Sequence, residues 1–170
     1  MKERGLYELV KKFLEDKFRA KFRNGYLEIT SDGRFSEDLK SQFDDDVLLF
    51  SKSHNFPDLT GYVFENYSGK ENENLKKSII VVEVKNKKVT MLDICQAKLY
   101  AEFFGAKFSF LVSSVPIPEE IKRVLRMKPN ILIGGIGYAY EPIFLGYFIK
   151  DLAKIRDYEW FPENPFERSS

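Results

Sequence analysis

Three ionisable residues have the types and spacing that chemistry could use: Asp58, Glu83 and Lys85. The last two lie in residues 78–86, SIIVVEVKN, whose β-branched run predicts an interior strand. Side chains two apart on a strand share a face, so Glu83 and Lys85 point one way while Val82 and Val84 point the other. Charged groups are rarely buried without a partner or a task. Asp58 follows Pro57 at the mouth of a second predicted strand, residues 58–65. If that strand and 78–85 form a hairpin, Asp58 and Glu83 converge at one end. Two carboxylates and a lysine at an open sheet end suit hydrolysis of a phosphodiester. Asp58 and Glu83 would bind Mg²⁺, with Mn²⁺ as a substitute, a hard ion that takes oxygen ligands and keeps several of its waters. The ion would lower the pKa of a bound water and polarise the scissile phosphate. Lys85 would orient that water or neutralise charge developing in the transition state.

The flanking sequence supplies elements to hold such a site. Leu6, Leu9, Val10, Phe13, Leu14 and Phe18 recur at helical spacing, predicting an amphipathic helix over residues 3 to about 22 that Asn24-Gly25 ends. Short strands are expected at 26–30 (YLEIT) and 47–50 (VLLF), then the strand 58–65, a polar Asn- and Lys-rich loop, and the strand 78–85. Thr90 followed by Asp93 reads as a helix N-cap with an acidic partner at N3, opening a helix from Met91 to Phe104 that Gly105 stops. A strand over 108–114, a short helix over 118–127, a strand through ILIGGIGYA and a last helix near 142–157 follow, before an aromatic tail, 159–170. The order implies an α/β sandwich around a mixed sheet, in one domain spanning 1–170. Residues 78–114 would form a right-handed crossover between parallel strands.

The pattern Pro57-Asp58 … Glu83-Val84-Lys85 resembles the PD-(D/E)xK nuclease superfamily, which includes restriction endonucleases, archaeal Holliday junction resolvases and bacterial recombination exonucleases. That resemblance implies an αβββαβ core, carried here by about residues 1–114, with 115–158 an elaboration. It also implies that the backbone carbonyl of Val84 joins Asp58 and Glu83 in holding the metal. The helix after the lysine strand carries Gln96-Ala-Lys-Leu-Tyr100, which is similar to the Q-x-x-x-Y motif of the recombination exonucleases. A spacing of four puts Gln96 and Tyr100 on one side of a helix. The resemblance gives them a role in positioning substrate and catalytic groups. It also implies a glutamate on the first helix, and Gly5-Leu-Tyr-Glu8 resembles the start of that helix in the resolvases, making Glu8 the choice although Glu3 lies nearer the apolar stripe. DNA is the implied partner, cut in a structure- or end-directed way, and a homodimer would suit a resolvase.

Composition narrows the field. At 44% hydrophobic and 31% charged, the chain has the balance of a soluble globular protein, and no apolar run approaches a membrane span. A single cysteine excludes an internal disulfide and makes reducing, intracellular (cytoplasmic) surroundings the expectation. One histidine and one cysteine argue against zinc on those ligands. A net charge of +1 does not announce a nucleic-acid binder, although residues 1–23 hold eight basic against four acidic side chains and 31–50 hold six acidic against two basic. That neutrality leaves room for an alternative, a catalytically silent DNA-binding or interaction module on the same fold, or for an unrelated small-molecule enzyme. Of the remaining features, His54 reads as an incidental loop residue and Gly134, Gly135 and Gly137 as a strand approached by another backbone. Cys95 reads as a core residue, and Lys122, Arg123, Arg126 and Lys128 as a helix face able to line DNA.

Overall fold

A computed structural model describes residues 4–53, 56–65, 76–133, 142–151 and 154–167. Helix α1 (Arg4–Phe22) leads to strand β1 (Tyr26–Ile29), two short helices α2 (Glu37–Lys40) and α3 (Asp45–Ser53), and strands β2 (Leu59–Glu65) and β3 (Lys76–Lys85). Helix α4 (Met91–Phe103), strand β4 (Phe108–Ser113), helix α5 (Glu119–Met127), a 3₁₀ turn (Pro129–Ile131) and strands β5 (Ile143–Asp151) and β6 (Lys154–Phe161) complete the order. The fold is α/β: one six-stranded mixed sheet in sequence order, β1 to β6, flanked by helices. The β3–β4 and β4–β5 pairs are parallel and the other three antiparallel. Both the expected β2–β3 hairpin and the expected β3–α4–β4 crossover are present. No helix among the described residues is long and apolar enough to cross a membrane.

The two faces of the sheet follow from strand alternation. Ile80, Val82 and Val84 of β3 and Phe108, Phe110 and Val112 of β4 pack under α1, against Leu6, Val10, Leu14 and Phe18. The alternate residues meet α4 and α5: Val81 beside Tyr100, Ala101 and Phe104, and Leu111 beside Ile94, Ala97, Ile121 and Leu125. Glu83 and Lys85 therefore lie on the α4 side. Thr90 and Asp93 form the reciprocal capping box that the sequence suggests, and Gly105, at φ +56°, provides the left-handed residue that ends α4.

Four expectations are corrected. Residues 47–50 are helical, within α3, not a strand. Asp45 and Asp46 in its first turn favour the helix N-terminus, and the carbonyl of Asp44 accepts from Val47 and Leu48 N–H. So short an apolar run carries no decisive period. The helix expected over 142–157 is instead the hairpin β5–β6. Ile143, Phe144 and Leu145 are good strand formers, and the parallel edge of β4 recruits them against both layers. Cys95 is exposed, because Ile94, Ala97, Tyr100 and Ala101 set the packing face of α4 and leave residue 95 off it. The strand expected through 131–139 begins differently, with Ile131 in the 3₁₀ turn and Ile133 in a single bridge to Pro142. Gly134, Gly135, Gly137 and His54 lie outside the described residues, as does the polar loop up to residue 75.

Candidate functional site

The register Leu59↔Val82 sets Asp58, one residue before β2, level with Glu83. Asp58 is held there by its own turn. Thr30, fully buried after β1, donates its N–H to the Asp58 carbonyl at 2.9 Å, and its hydroxyl donates to the Pro57 carbonyl at 2.7 Å. The same hydroxyl lies 2.9 Å from that of Thr60. The Asp58 carboxylate accepts the Val84 N–H at 2.8 Å, which locks the end of β2 to β3 through a charged acceptor.

On the α4 side of β3, Lys85 Nζ donates to Glu83 Oε1 at 2.6 Å. Asp93 Oδ1 lies 3.7 Å from Lys85 Nζ and 3.7 Å from Lys87 Nζ. Burial is the largest single influence on Lys85 and acts to lower its pKa. The hydrogen bond and charge of Glu83, with the charges of Asp93 and Asp58, outweigh it, and the pKa ends above the ordinary lysine value. Burial likewise acts to raise Asp93, but hydrogen bonds from Thr90 and the charges of Lys85 and Lys87 bring its pKa below the ordinary carboxylate value. Lys85 is thus a charged ammonium and Asp93 a carboxylate at neutral pH.

Gln96 Nε2 donates to the buried Tyr100 hydroxyl at 3.0 Å. Burial, chiefly, and then the charges of Glu83 and Asp58 push the Tyr100 phenol upward, against the lowering effect of the Gln96 bond and of Lys85. The Gln96–Tyr100 pair therefore sits in the field of the same carboxylates. Asp58, Glu83, Lys85, Gln96 and Tyr100 form one neighbourhood. Glu8 does not join them: it is exposed on α1, whose packing face lies against the opposite side of the sheet. Lys122 is also withdrawn from any DNA-lining role, being buried in ion pairs with Glu119 and Glu159, whereas Arg123, Arg126 and Lys128 stay exposed.

Asp93, Thr30 and Lys87 were not singled out by sequence reasoning as parts of the site. The capping box was legible, but that its acid also faces Lys85 depends on how α4 folds back beside β3. Three carboxyl side chains, Asp58, Glu83 and Asp93, and two ammonium groups, Lys85 and Lys87, share the cluster. Among the described residues no group of three or more His, Cys, Asp or Glu side chains is arranged to hold a metal. Asp58 and Glu83 offer oxygen donors only, the kind that a largely hydrated Mg²⁺ takes and that does not favour zinc. In comparisons with known proteins, no family model, no curated protein and no solved structure matches the chain. The fold and site themselves define the class: an α/β protein with a carboxylate–lysine cluster where the β2–β3 hairpin meets the N-terminal part of α4.

Proposed function

We propose that this protein is a Mg²⁺-dependent DNA nuclease of the PD-(D/E)xK kind, hydrolysing phosphodiester bonds at the Asp58–Glu83–Lys85 cluster. The observation that carries the reading is the pairing of Asp58 with the Val84 N–H next to the Lys85–Glu83 contact. Residues 25 apart in sequence thereby share one sheet end with the polarity the chemistry needs. Asp58, Glu83 and the Val84 carbonyl are the groups that would hold the ion. When bound, it would act as a Lewis acid on the scissile phosphate and its attacking water.

The chain's own residues do the rest. Lys85 supplies a fixed positive charge beside the carboxylates, able to orient a water or offset charge on the phosphoryl oxygens. Gln96 fixes the Tyr100 hydroxyl, and this pair can bear on the substrate backbone. Exposed Lys87 and Lys88, in the turn after β3, add positive charge for flanking phosphates.

The test is cleavage of end-labelled duplex, single-stranded and four-way-junction DNA with Mg²⁺, Mn²⁺ or a chelator, for wild type and Lys85→Ala. Metal-dependent products that vanish in the folded variant support the nuclease, and the preferred substrate defines its type. Binding without metal dependence and without products on any substrate would move the reading to the silent DNA-binding module.

A further inference from the structure

Asp93 does more than its place in the sequence requires. As the N3 residue of α4 it completes a capping box: Oδ2 accepts from Thr90 N–H at 2.8 Å and from the Thr90 hydroxyl at 2.6 Å, while Asp93 N–H donates back to that hydroxyl at 3.3 Å. A capping acid has no need of burial, since helix N-termini normally cap at the surface and a buried carboxylate carries a desolvation cost. Yet only 7% of the Asp93 side chain is exposed. Its second oxygen, Oδ1, is not used by the cap and faces two ammonium groups, Lys85 and Lys87, at 3.7 Å each. These distances are those of ion pairs rather than of direct hydrogen bonds. The Lys85 ammonium thus lies between Glu83 on its own strand and Asp93 on the following helix.

We propose that Asp93 is a positioning residue that holds the Lys85 ammonium at the mouth of the carboxylate pair, giving it an anionic anchor that persists when Glu83 turns to other partners. Lys85 reaches Glu83 directly, so with Glu83 as its sole anchor the lysine would follow that carboxylate or swing to solvent once a cation or phosphate engaged it. Asp93 is rigid because the cap fixes its other oxygen, and α4 is itself packed on β3 and β4. Lys87, 63% exposed, occupies the outer side of the same carboxylate and can leave it at little cost. The contact stands on geometry alone; the reaction it serves rests on the nuclease reading.

The test separates charge from cap. In Asp93→Asn the side-chain carbonyl still accepts the Thr90 N–H, but the negative charge is gone. Thr90→Val removes the capping hydroxyl and leaves the charge. In Glu83→Gln without metal or DNA, where the direct carboxylate anchor is gone, the ¹H–¹⁵N signal of the Lys85 ammonium, assigned by its loss in Lys85→Met, should be observable and should persist when Thr90→Val is added. It should broaden or disappear when Asp93→Asn is added instead and return with Asp93→Glu. In the cleavage assay Asp93→Asn should lower kcat roughly ten- to a hundredfold, the range seen when a partner that orients a reacting group is removed, with little change in KM. An unchanged Lys85 signal when Asp93→Asn is added would overturn the proposal, as would a Thr90→Val that reproduces the Asp93→Asn loss, which would make Asp93 a cap and nothing more. A signal that behaves as expected in a protein that cuts no DNA would uphold the anchor and sink the nuclease reading.

Discussion

Replacing Lys85 should weaken the fold as well as the proposed activity, and the two effects can be separated by pairing it with Glu83. The Glu83 and Lys85 side chains are 5% and 12% exposed and meet at 2.6 Å. Removing one partner from a buried ion pair costs about 3–5 kcal/mol, because the remaining charge stays desolvated. Lys85→Met belongs at the low end, about 3 kcal/mol, since Lys85 is the more exposed partner of the pair, at 12%. For a chain of this length each kcal/mol moves Tm by about 2–4 °C, so the expected loss is about 6–12 °C. Glu83→Gln should cost less, about 1 kcal/mol, because Lys85 keeps Asp93 and Asp58 as counter-charges. The double variant, with both charges replaced by side chains of similar size, should lose about 2 kcal/mol rather than the sum of about 4. Thermal and urea unfolding followed by circular dichroism at neutral pH, without divalent ions, measures all three. Added Mg²⁺ should recover part of the loss in Lys85→Met, since a cation held by Asp58 and Glu83 replaces the missing charge. An unchanged Tm in Lys85→Met, or strict additivity in the double variant, would refute the coupling.

Other consequences are equally open to measurement. At Gly61 a Cβ would sit 1.9 Å from the Tyr26 carbonyl oxygen and 2.8 Å from Leu27 Cα, both backbone atoms of β1. Gly61→Ala should therefore cost more than about 3 kcal/mol, read as a lower urea midpoint, by forcing β1 off β2. Thr30→Val removes the hydroxyl bonded to Pro57 and Thr60 and should cost about 1–3 kcal/mol; by loosening the Asp58 turn it should also slow cleavage in preparations that remain fully folded. The Tyr62 hydroxyl donates to Asp38 at 2.6 Å, and that bond, then burial and the Asp38 charge, push its pKa from 10.0 up to about 12. Because the folded value is the higher one, this contribution to stability is complete below pH 10.0 and is lost as pH rises toward about 12. Asp38→Asn should bring the step down toward the ordinary tyrosine range and flatten that alkaline loss, as read by ultraviolet titration against Tyr62→Phe.

Where the sequence was informative, several local signals agreed. Residues 76–85 carry β-branched residues with turn residues after them, and α4 opens with Thr90 and Asp93 as reciprocal caps, so strand, helix and crossover could all be read. Asp58 and Glu83 could be placed together because antiparallel pairing of consecutive strands sets the start of one beside the end of the next. The readings failed where the outcome was set by distant contacts. Residues 143–151 have no decisive helical or strand period, and it is the free edge of β4, supplied by residues 108–113, that makes them a strand. The motif points to Glu8, but the stripe Leu6–Val10–Leu14 commits α1 to the sheet face away from Glu83. The sequence shows Asp93 only as a cap, its local role. Its second role depends on a neighbour eight residues earlier whose side chain reaches it only through the turn between β3 and α4.

On the nuclease reading, Asp58 and Glu83 form a metal-dependent phosphodiester centre. Its most direct test is the cleavage rate against Mg²⁺ concentration for wild type and Asp58→Asn, on the DNA substrate that wild type prefers. Asparagine keeps an acceptor for the Val84 N–H, so the fold should hold, while the charge is lost. The expected result is cutting by wild type that needs Mg²⁺ and stops with chelator, and a rate in folded Asp58→Asn lower by roughly a hundredfold or more. Equal rates in the two proteins, or cutting that persists in chelator, would contradict it.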